Sequence, residues 1–281
     1  MSTTPESSEL LSSTSGPSEH GGSGAGSATP LLSLRGISKN FGAVQAIQGV
    51  NLDIAPGKVT ALIGDNGAGK SVLIKTISGI WEPSGGHMYW KGEEIHVHTP
   101  RNAAALGIAT VYQDLALCDN LDIVQNMYLG REETKFSMLD EIKMELATNQ
   151  LLRDLSVSTV KSVRQIVASL SGGQRQAIAV ARAVMHDSQL VIMDEPTAAL
   201  GVTQTAQVLQ LIRTLAARGI TVLVISHNLN DVFSVADNIA VMHLGTLCSS
   251  GPASNYDTAS AVELITTGHS SRVASTLLPS S

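Results

Sequence analysis

Cysteine is scarce in this sequence, which excludes two kinds of structure. The chain of 281 residues contains only Cys118 and Cys248, far apart from each other. A zinc site needs cysteines at short spacing, and the disulfide framework of a small secreted domain needs several pairs. The sequence therefore predicts neither, and it fits a protein of a reducing compartment.

Positive charge is also in the minority. The chain carries 18 Lys and Arg against 24 Asp and Glu, and its formal net charge is −6. Nucleic acid attracts basic surfaces through its phosphates. We therefore expect no nucleic-acid partner, although this balance leaves room for a local basic patch.

Long apolar runs are missing. The most apolar segments, residues 190–193 and 221–225, have the length of a strand, whereas a membrane-spanning helix needs about 20 apolar residues. The N-terminus shows no basic stretch followed by an apolar block, which a secretory signal requires. We expect neither a signal nor a membrane span, while a peripheral association with a membrane stays open.

The two ends differ in composition from the rest of the chain. Of the first 30 residues, 21 are Ser, Gly, Thr or Pro, and such a segment buries too little apolar surface to offset the entropy lost on ordering. Residues 269–281 are rich in serine as well. The sequence predicts disordered tails at residues 1–30 and 269–281 and one folded domain at residues 31–268.

Within this domain, apolar runs of strand length alternate with segments of helical periodicity. Strands are predicted at residues 31–37, 50–54, 59–63, 190–193 and 221–225, and helices at residues 70–78, 174–185 and 205–217. Short alternating runs between Trp81 and His98 predict a further small β-structure. The alternation is typical of an α/β fold with a parallel sheet covered on both faces.

A helical insert is predicted at about residues 116–175. Apolar residues recur there at helical spacing, for example Leu139, Ile142 and Leu146. The expected architecture is a nucleotide-binding α/β core that carries this insert.

A glycine-rich loop joins the predicted strand at residues 59–63 to the helix at residues 70–78. Its sequence, Gly64-Asp65-Asn66-Gly67-Ala68-Gly69-Lys70-Ser71, fits the pattern G-x-x-x-x-G-K-[ST]. In such a loop the backbone N–H groups surround phosphate oxygens, and the helix N-terminus adds a partial positive charge. We expect Lys70 to reach the β- and γ-phosphates of a nucleoside triphosphate and the Ser71 hydroxyl to bind Mg²⁺.

Two further motifs lie downstream. The string Leu170-Ser171-Gly172-Gly173-Gln174 precedes an apolar helix, and the strand at residues 190–193 ends in two adjacent acids. Asp194 is suited to hold Mg²⁺, and Glu195 is suited to polarise an attacking water. Adjacent acids alone are typical of a solvated strand end, but after a phosphate loop they favour hydrolysis of the nucleotide.

In this order the motifs resemble those of the ATP-binding subunits of ATP-binding-cassette (ABC) transporters, and the resemblance extends over residues 31–251. Three weaker signals agree: Gln113 follows a strand, His227 follows the last core strand, and Phe41 stands at the place of an adenine-stacking aromatic residue. The resemblance implies a P-loop NTPase (RecA-like) α/β core with an antiparallel β subdomain and a helical insert.

The resemblance also implies the residues of the site. Glu195, His227 and Lys70 would be catalytic, and Ser71, Gln113 and Asp194 would bind Mg²⁺. The ATP site would comprise Phe41, Gly64, Asp65, Asn66, Gly67, Ala68, Gly69, Lys70, Ser71, Val72, Gln113, Ser171, Gly172, Gly173 and Gln174. Two copies of the chain would close head to tail, so that the Leu-Ser-Gly-Gly-Gln signature of one covers the ATP of the other.

Several strings resemble the bacterial carbohydrate-import branch of the family, of the ribose, xylose and fructose type. They are His98-Thr99-Pro100-Arg101, the segment from Leu106 to Gln113, the segment from Asn126 to Glu132, and Ser226-His227-Asn228-Leu229. This branch implies a membrane permease and an extracytoplasmic sugar-binding protein as partners. It also implies a peripheral location at the cytoplasmic face of the membrane, and a Gln113 loop that touches the permease.

Alternatives are a cassette for a substrate other than sugar and a soluble cassette ATPase of translation or DNA repair. The single cassette without a basic run or sustained heptads speaks against the soluble proteins. One residue departs from the family. Gly201 stands where an aspartate usually links the two ATP sites, so that role is in doubt here.

Overall fold

The structure is a computed structural model that describes residues 29–157 and 159–273. Apart from residues 29 and 30, the predicted N-terminal tail lies outside the described residues. The predicted C-terminal tail lies outside them from residue 274 onward. Within the described ranges, no helix has both the length and the apolar character needed to cross a membrane.

In chain order the strands are β1 Leu32–Phe41, β2 Val44–Ile54, β3 Val59–Gly64, β4 Gly85–Trp90, β5 Glu93–Ile95, β6 Ile108–Val111, β7 Thr134–Lys135, β8 Met138–Leu139, β9 Leu190–Asp194, β10 Thr221–Ile225, β11 Asn238–His243 and β12 Thr246–Pro252. The helices are α1 Lys70–Ile77, α2 Pro100–Ala105, α3 Ile123–Tyr128, α4 Glu141–Asp154, α5 Gly172–Val184, α6 Val202–Ala217, α7 Leu229–Val235 and α8 Thr258–Thr267.

The centre of the molecule is a six-stranded sheet in the order β12-β11-β3-β10-β9-β6. Strands β11, β3, β10, β9 and β6 run parallel, and only β12 pairs antiparallel. Every residue of β3 and β10 is buried, because helices cover both faces of the sheet. This explains their uninterrupted apolar sequences and confirms the predicted α/β core.

A second sheet is antiparallel, with the order β2-β1-β4-β5. It confirms the antiparallel subdomain, including the β-structure expected between Trp81 and His98. Strands β1 and β2 are longer than predicted and extend to Phe41 and from Val44. Their extra residues are mostly exposed, and the pairing there is interrupted by register shifts. A strand end of this kind carries no apolar alternation for sequence analysis to detect.

The insert is helical only in part. Helices α3 and α4 flank a short hairpin, β7–β8, and most of the chain between α4 and α5 is irregular. Leu139, whose spacing predicts a helix, belongs instead to β8, while Ile142 and Leu146 lie on α4 with 75% and 63% of their surface exposed. The hairpin turn requires two residues with positive φ, Phe136 and Ser137, and this ends the helical pattern that the apolar residues suggest.

Helix α4 therefore provides a matched pair of substitutions. We expect Leu152→Ala to lower the free energy of unfolding by about 2–5 kcal/mol, because Leu152 is buried and its loss leaves a cavity. We expect Leu146→Ala on the same helix to cost less than about 0.5 kcal/mol, because that side chain is exposed. Urea denaturation of both variants measures the difference, and equal losses would contradict the placement of α4.

Candidate nucleotide-binding site

The carboxyl ends of three adjacent parallel strands meet at one edge of the central sheet. The phosphate loop follows β3, the acidic pair ends β9, and His227 comes just after β10. A cavity of about 550 Å³ opens there. Its lining includes the predicted residues Asn66, Gly67, Ala68, Gly69, Lys70, Ser71, Val72, Gln113, Asp194 and Glu195. The fold thus brings together residues that are far apart in the sequence.

The last residue of the phosphate loop before helix α1, Gly69, has a conformation and surroundings that suit only glycine. Gly69 has a φ of +97°, and a Cβ atom there would lie 2.7 Å from Cγ2 of Ile47. Neither the backbone conformation nor the space suits another residue. Any larger residue at this position would displace the loop from the wall formed by β2.

Four loop residues that line the cavity have backbone donors without acceptors among the described residues. Among the described residues, none accepts a hydrogen bond from the backbone N–H of Gly67, Gly69, Lys70 or Ser71. Such free donors at the start of a helix attract an anion, helped by the partial positive charge of the helix terminus. The loop therefore has the donors that a chain of phosphates needs.

Lys70 is buried and directed along the same loop. Its Nζ donates to the carbonyl oxygens of Gly64 and Asp65 at 2.8 and 3.0 Å. Burial lowers the pKa of the ammonium, and the negative charges of Glu195, Asp194 and Asp65 oppose this effect. A cation is thereby kept beside the free backbone donors.

Asp194 is a half-buried carboxylate in the cavity wall. Burial raises its pKa, and the neighbouring charge of Glu195 raises it further, whereas Lys70 and Lys75 act in the opposite direction. A divalent cation would relieve the repulsion between the two acids. The hydroxyl of Ser71, the amide of Gln113 and the carboxylate of Asp194 are oxygen donors of the kind that Mg²⁺ prefers. These residues fit a magnesium ion.

Glu195 is held against His227. Its Oε2 lies 2.8 Å from Nδ1 of His227, and its backbone N–H donates to the carbonyl of Ile225 at 3.0 Å. Glu195 has a φ of 51°, a left-handed conformation that costs about 1–3 kcal/mol for a residue other than glycine. The Glu195 side chain is mostly buried, and that of His227 is 71% exposed. The acid thus faces the cavity while its partner is open to solvent.

A further hydrogen bond joins the segments that follow these two residues. The Thr197 hydroxyl donates to Oδ2 of Asp231 at 2.7 Å, and Asp231 is buried on α7. The loop after Glu195 and the helix after His227 are therefore connected. This contact stabilises the relative position of the two candidate catalytic residues.

Phe41 lies at the end of β1 with 41% of its surface exposed. Its ring packs edge-on against Trp81, with centroids 4.8 Å apart. Phe41 is not among the described residues that line the cavity. Its stacking on adenine stays a prediction.

The signature residues lie apart from the phosphate loop of their own chain. Ser171 caps helix α5, where its hydroxyl accepts from the N–H of Gln174 and the Gln174 side chain accepts from the N–H of Ser171. Ser171 and Gly172 are exposed, whereas Gly173 is buried against Gln204. Among the described residues that line the cavity, none belongs to the signature. Within one chain, the predicted ATP-site residues therefore form two separate groups.

Gly201 is the N-cap residue of α6 and is exposed, with extended backbone angles. It offers no side chain to cap the helix. Nothing lies within 4 Å of the position that a Cβ atom would take. The family's usual aspartate would therefore fit this backbone.

Some cavity residues were not predicted from the sequence. They come from the start of β2 and from the turn between β11 and β12, and they are Val44, Gln45, Ala46, Leu244 and Gly245. Two backbone hydrogen bonds connect Gly245 of that turn to its neighbours: the N–H of Gln48 on β2 donates to the Gly245 carbonyl, and the N–H of Gly245 donates to the carbonyl of Ala68 in the phosphate loop. No local pattern marks them, because only the packing of two sheets brings them to the loop.

Comparison with known proteins agrees with this geometry. Residues 47–198 match the protein family described as ABC transporter. The chain is 45% identical to the fructose import ATP-binding protein FrcA of Rhizobium meliloti, over 84% of this chain and 94% of that protein. It is 46% identical to the xylose/arabinose import ATP-binding protein XylG of Sulfolobus acidocaldarius, over 77% and 86% of the two chains.

A third relative is longer than this chain. The ribose import ATP-binding protein RbsA 3 of Rubrobacter xylanophilus is 38% identical over 84% of this chain but only 47% of its own length. Among solved structures, the ADP conformation of MJ1267, an ATP-binding cassette of an ABC transporter, is similar with a TM-score of 0.72 and 27% identity, covering 85% and 95% of the two chains. The cbiO1 structure from Clostridium perfringens gives 0.70 and 26%, covering 80% and 89%.

The raised pKa of Asp194 leads to a prediction about stability. We expect Asp194→Asn to raise the unfolding temperature at neutral pH, because the half-buried carboxylate beside Glu195 is replaced by a neutral side chain of the same shape. In the wild type, the ionisation of Asp194 destabilises the fold as the pH rises from the ordinary carboxyl pKa through the raised one. The gain should therefore vanish in acid and be largest above that window.

Calorimetry over a pH series measures this gain without added nucleotide or metal. The exposed Asp187 provides the control, since Asp187→Asn also removes one negative charge. A gain that is equal for both variants, or independent of pH, would refute the explanation.

Proposed function

Because this chain belongs to the ABC transporter family, as its motifs predict, we propose that it binds and hydrolyses ATP to energise import of a sugar through a partner permease. The observation that carries the proposal is the single cavity in which the phosphate loop, Gln113, Asp194 and Glu195 meet. The fructose and xylose/arabinose relatives support sugar as the transported substrate, since each is matched over most of its length. The chain would lie at the membrane as a peripheral subunit.

Binding of ATP begins at the phosphate loop. The free N–H groups of Gly67, Gly69, Lys70 and Ser71 are proposed to donate to the β- and γ-phosphates, and Lys70 would add its charge. Phe41, braced by Trp81, is proposed to stack on the adenine. Mg²⁺, held by Ser71, Gln113 and Asp194, would neutralise charge on the β- and γ-oxygens.

Hydrolysis is assigned to Glu195 and His227. A water in line with the γ-phosphate would give its proton toward the Glu195 carboxylate, whose orientation is held by the 2.8 Å contact to Nδ1 of His227. The left-handed backbone of Glu195 fixes the side chain in the cavity. The chain's part in catalysis is thus to position the water and to stabilise charge, as expected for phosphoryl transfer.

The signature is proposed to complete the site of a second copy. Ser171 and Gly172 are exposed at the N-terminus of α5, a helix of 13 residues whose first backbone donors can receive an anion. Since they lie apart from their own phosphate loop, they need the nucleotide of another chain. A lone chain should therefore hydrolyse ATP slowly.

A groove beside the Gln113 loop is the proposed contact with the permease. It has a volume of about 370 Å³ and is lined in part by Tyr112, Asp114, Met127, Leu129 and Arg131. Leu129 is half-exposed there although it is apolar, as expected of a surface that a partner covers. A sugar-binding protein outside the membrane would deliver the substrate to that permease.

The first test concerns the chemistry of the site. We expect Glu195→Gln to retain ATP binding, to slow turnover by about 10²-fold or more, and to accumulate a dimer in the presence of ATP. Steady-state hydrolysis and analytical ultracentrifugation measure the two effects. Lys70→Ala serves as the contrasting variant, because it should lose ATP affinity and form no dimer. Unchanged turnover in Glu195→Gln would remove that residue from the mechanism.

The second test concerns transport. We expect affinity purification of the tagged chain from detergent-solubilised native membranes to recover a multi-span permease and a sugar-binding protein. Vesicles that contain the recovered complex should accumulate the sugar that the binding protein recognises only when ATP is present. A complex that moves a different class of solute would replace the sugar assignment. Recovery of ribosomal or repair proteins without a permease would favour a soluble ATPase.

A further inference from the structure

Arg182 of helix α5 holds the segment that follows Gln113. Its Nη1 donates to the carbonyl oxygen of Ala116 at 2.9 Å, and its Nη2 donates to that of Leu115 at 3.0 Å. The half-buried guanidinium therefore binds two successive carbonyl groups of one loop. Lysine could not reproduce this planar pair of hydrogen bonds.

Arg175 of the same helix makes a second contact with this segment. Its Nη1 lies 3.0 Å from Oδ1 of Asp119. Arg175 and Arg182 are seven positions apart on α5, which is close to two turns, so their side chains leave the helix on one face. Residues 115–119 lie along that face and are bound near both ends.

The backbone of the held segment is not in a relaxed conformation. Ala116 has a φ of 48°, which is uncommon for a residue with a side chain and needs surrounding contacts to persist. The two carbonyl groups that Arg182 binds lie on either side of the Ala116 N–Cα bond. Removal of Arg182 would therefore release the segment at its strained point.

Helix α5 connects this segment with the signature. Ser171 and Gly172 begin the helix, and Arg182 lies near its other end. The segment begins two residues after Gln113, which lines the nucleotide cavity. Its residues Leu115 and Ala116 line the groove proposed for the permease. A helix is rigid over this length, so a displacement at one end reaches the other.

We infer that Arg182 and Arg175 are positioning residues that fasten the segment 115–119 to the signature helix, so that the permease groove and the signature move as one unit. This inference rests on the proposed function. A movement of the permease against the groove then turns Ser171 and Gly172 toward or away from the ATP of the second copy. Arg182 itself lines the groove, whereas Arg175 is not among the described residues that do. Neither arginine lines the nucleotide cavity of its own chain, so both act on the signature through the loop and the helix.

The first arm of the test needs no permease. Hydrogen–deuterium exchange of the full chain is measured for Arg182→Ala and Asp119→Asn. We expect the amides of residues 114–119 to exchange about tenfold faster in Arg182→Ala, because local opening is no longer opposed. Asp119→Asn should give about a twofold increase, as expected for loss of one exposed ion pair. Arg182→Lys should restore only part of the protection.

The second arm uses the reconstituted transporter with its sugar. We expect Arg182→Ala to lower the kcat of sugar-stimulated hydrolysis by about tenfold, as loss of positioning does, while the KM for ATP stays within about twofold of the wild type. Asp119→Asn is the cleaner variant, since Asp119 lines neither the groove nor the cavity among the described residues. It should lower kcat by about twofold, again with an unchanged KM.

Arg213→Ala is the matched control. Arg213 lies on α6 and, like Arg182, donates to a backbone carbonyl, in this case that of Ser234. It should change neither the exchange of residues 114–119 nor the sugar stimulation of hydrolysis.

Unchanged exchange in both Arg182→Ala and Asp119→Asn would show that the arginines do not fasten residues 115–119 to helix α5. Faster exchange in these variants together with wild-type sugar stimulation of hydrolysis would show that the attachment does not couple the permease groove to the signature. A wild-type chain whose hydrolysis no permease stimulates would instead refute the proposed function. The hydrogen–deuterium exchange experiment would still show whether the arginines fasten residues 115–119 to α5.

Discussion

The parallel register of β9, β10 and β3 is the constraint on which the site depends. Ile225 of β10 pairs with Asp194 on one side and with Leu62 on the other, so the three strands reach the sheet edge at nearly the same level. A slip of one residue would turn Asp194 to the opposite face of the sheet. The side chains of β3 and β10 are packed on both faces of the sheet, so a slip would require both faces to repack. The packed strands thereby hold the acids and the phosphate loop in place.

The site concentrates charge at a cost to the fold. Asp194 and Glu195 are adjacent and mostly buried, Lys70 compensates them only in part, and Glu195 is in a left-handed conformation. Each of these features destabilises the native state relative to a neutral, relaxed replacement. Binding of phosphate and of a divalent cation needs these opposite charges at close range. The surrounding apolar core supplies the stability that the site gives up.

Helix α5 connects the signature with the loop that follows Gln113. Its N-terminus presents the signature at the surface, its buried face packs in the core, and its arginines contact the loop after Gln113. A single rigid element thus touches the surface expected to meet a second copy and the groove expected to meet a permease. The cavity and the signature are complementary parts that one chain does not unite.

The sequence by itself determined the order of motifs, the α/β core and the identity of the phosphate loop, because each depends on neighbouring residues: a glycine-rich turn, a helix start, an apolar strand. It also predicted Asp194 and Glu195 from the apolar strand that precedes them, and Gln113 and His227 through the resemblance to the family. Only the tertiary structure decided the contributions of Val44 and Leu244 to the cavity and the exposure of Ile142 and Leu146. It also decided the hydrogen bonds from Arg182 to the loop after Gln113. Those depend on how sheets and helices pack, and a linear pattern carries no record of contacts between distant segments.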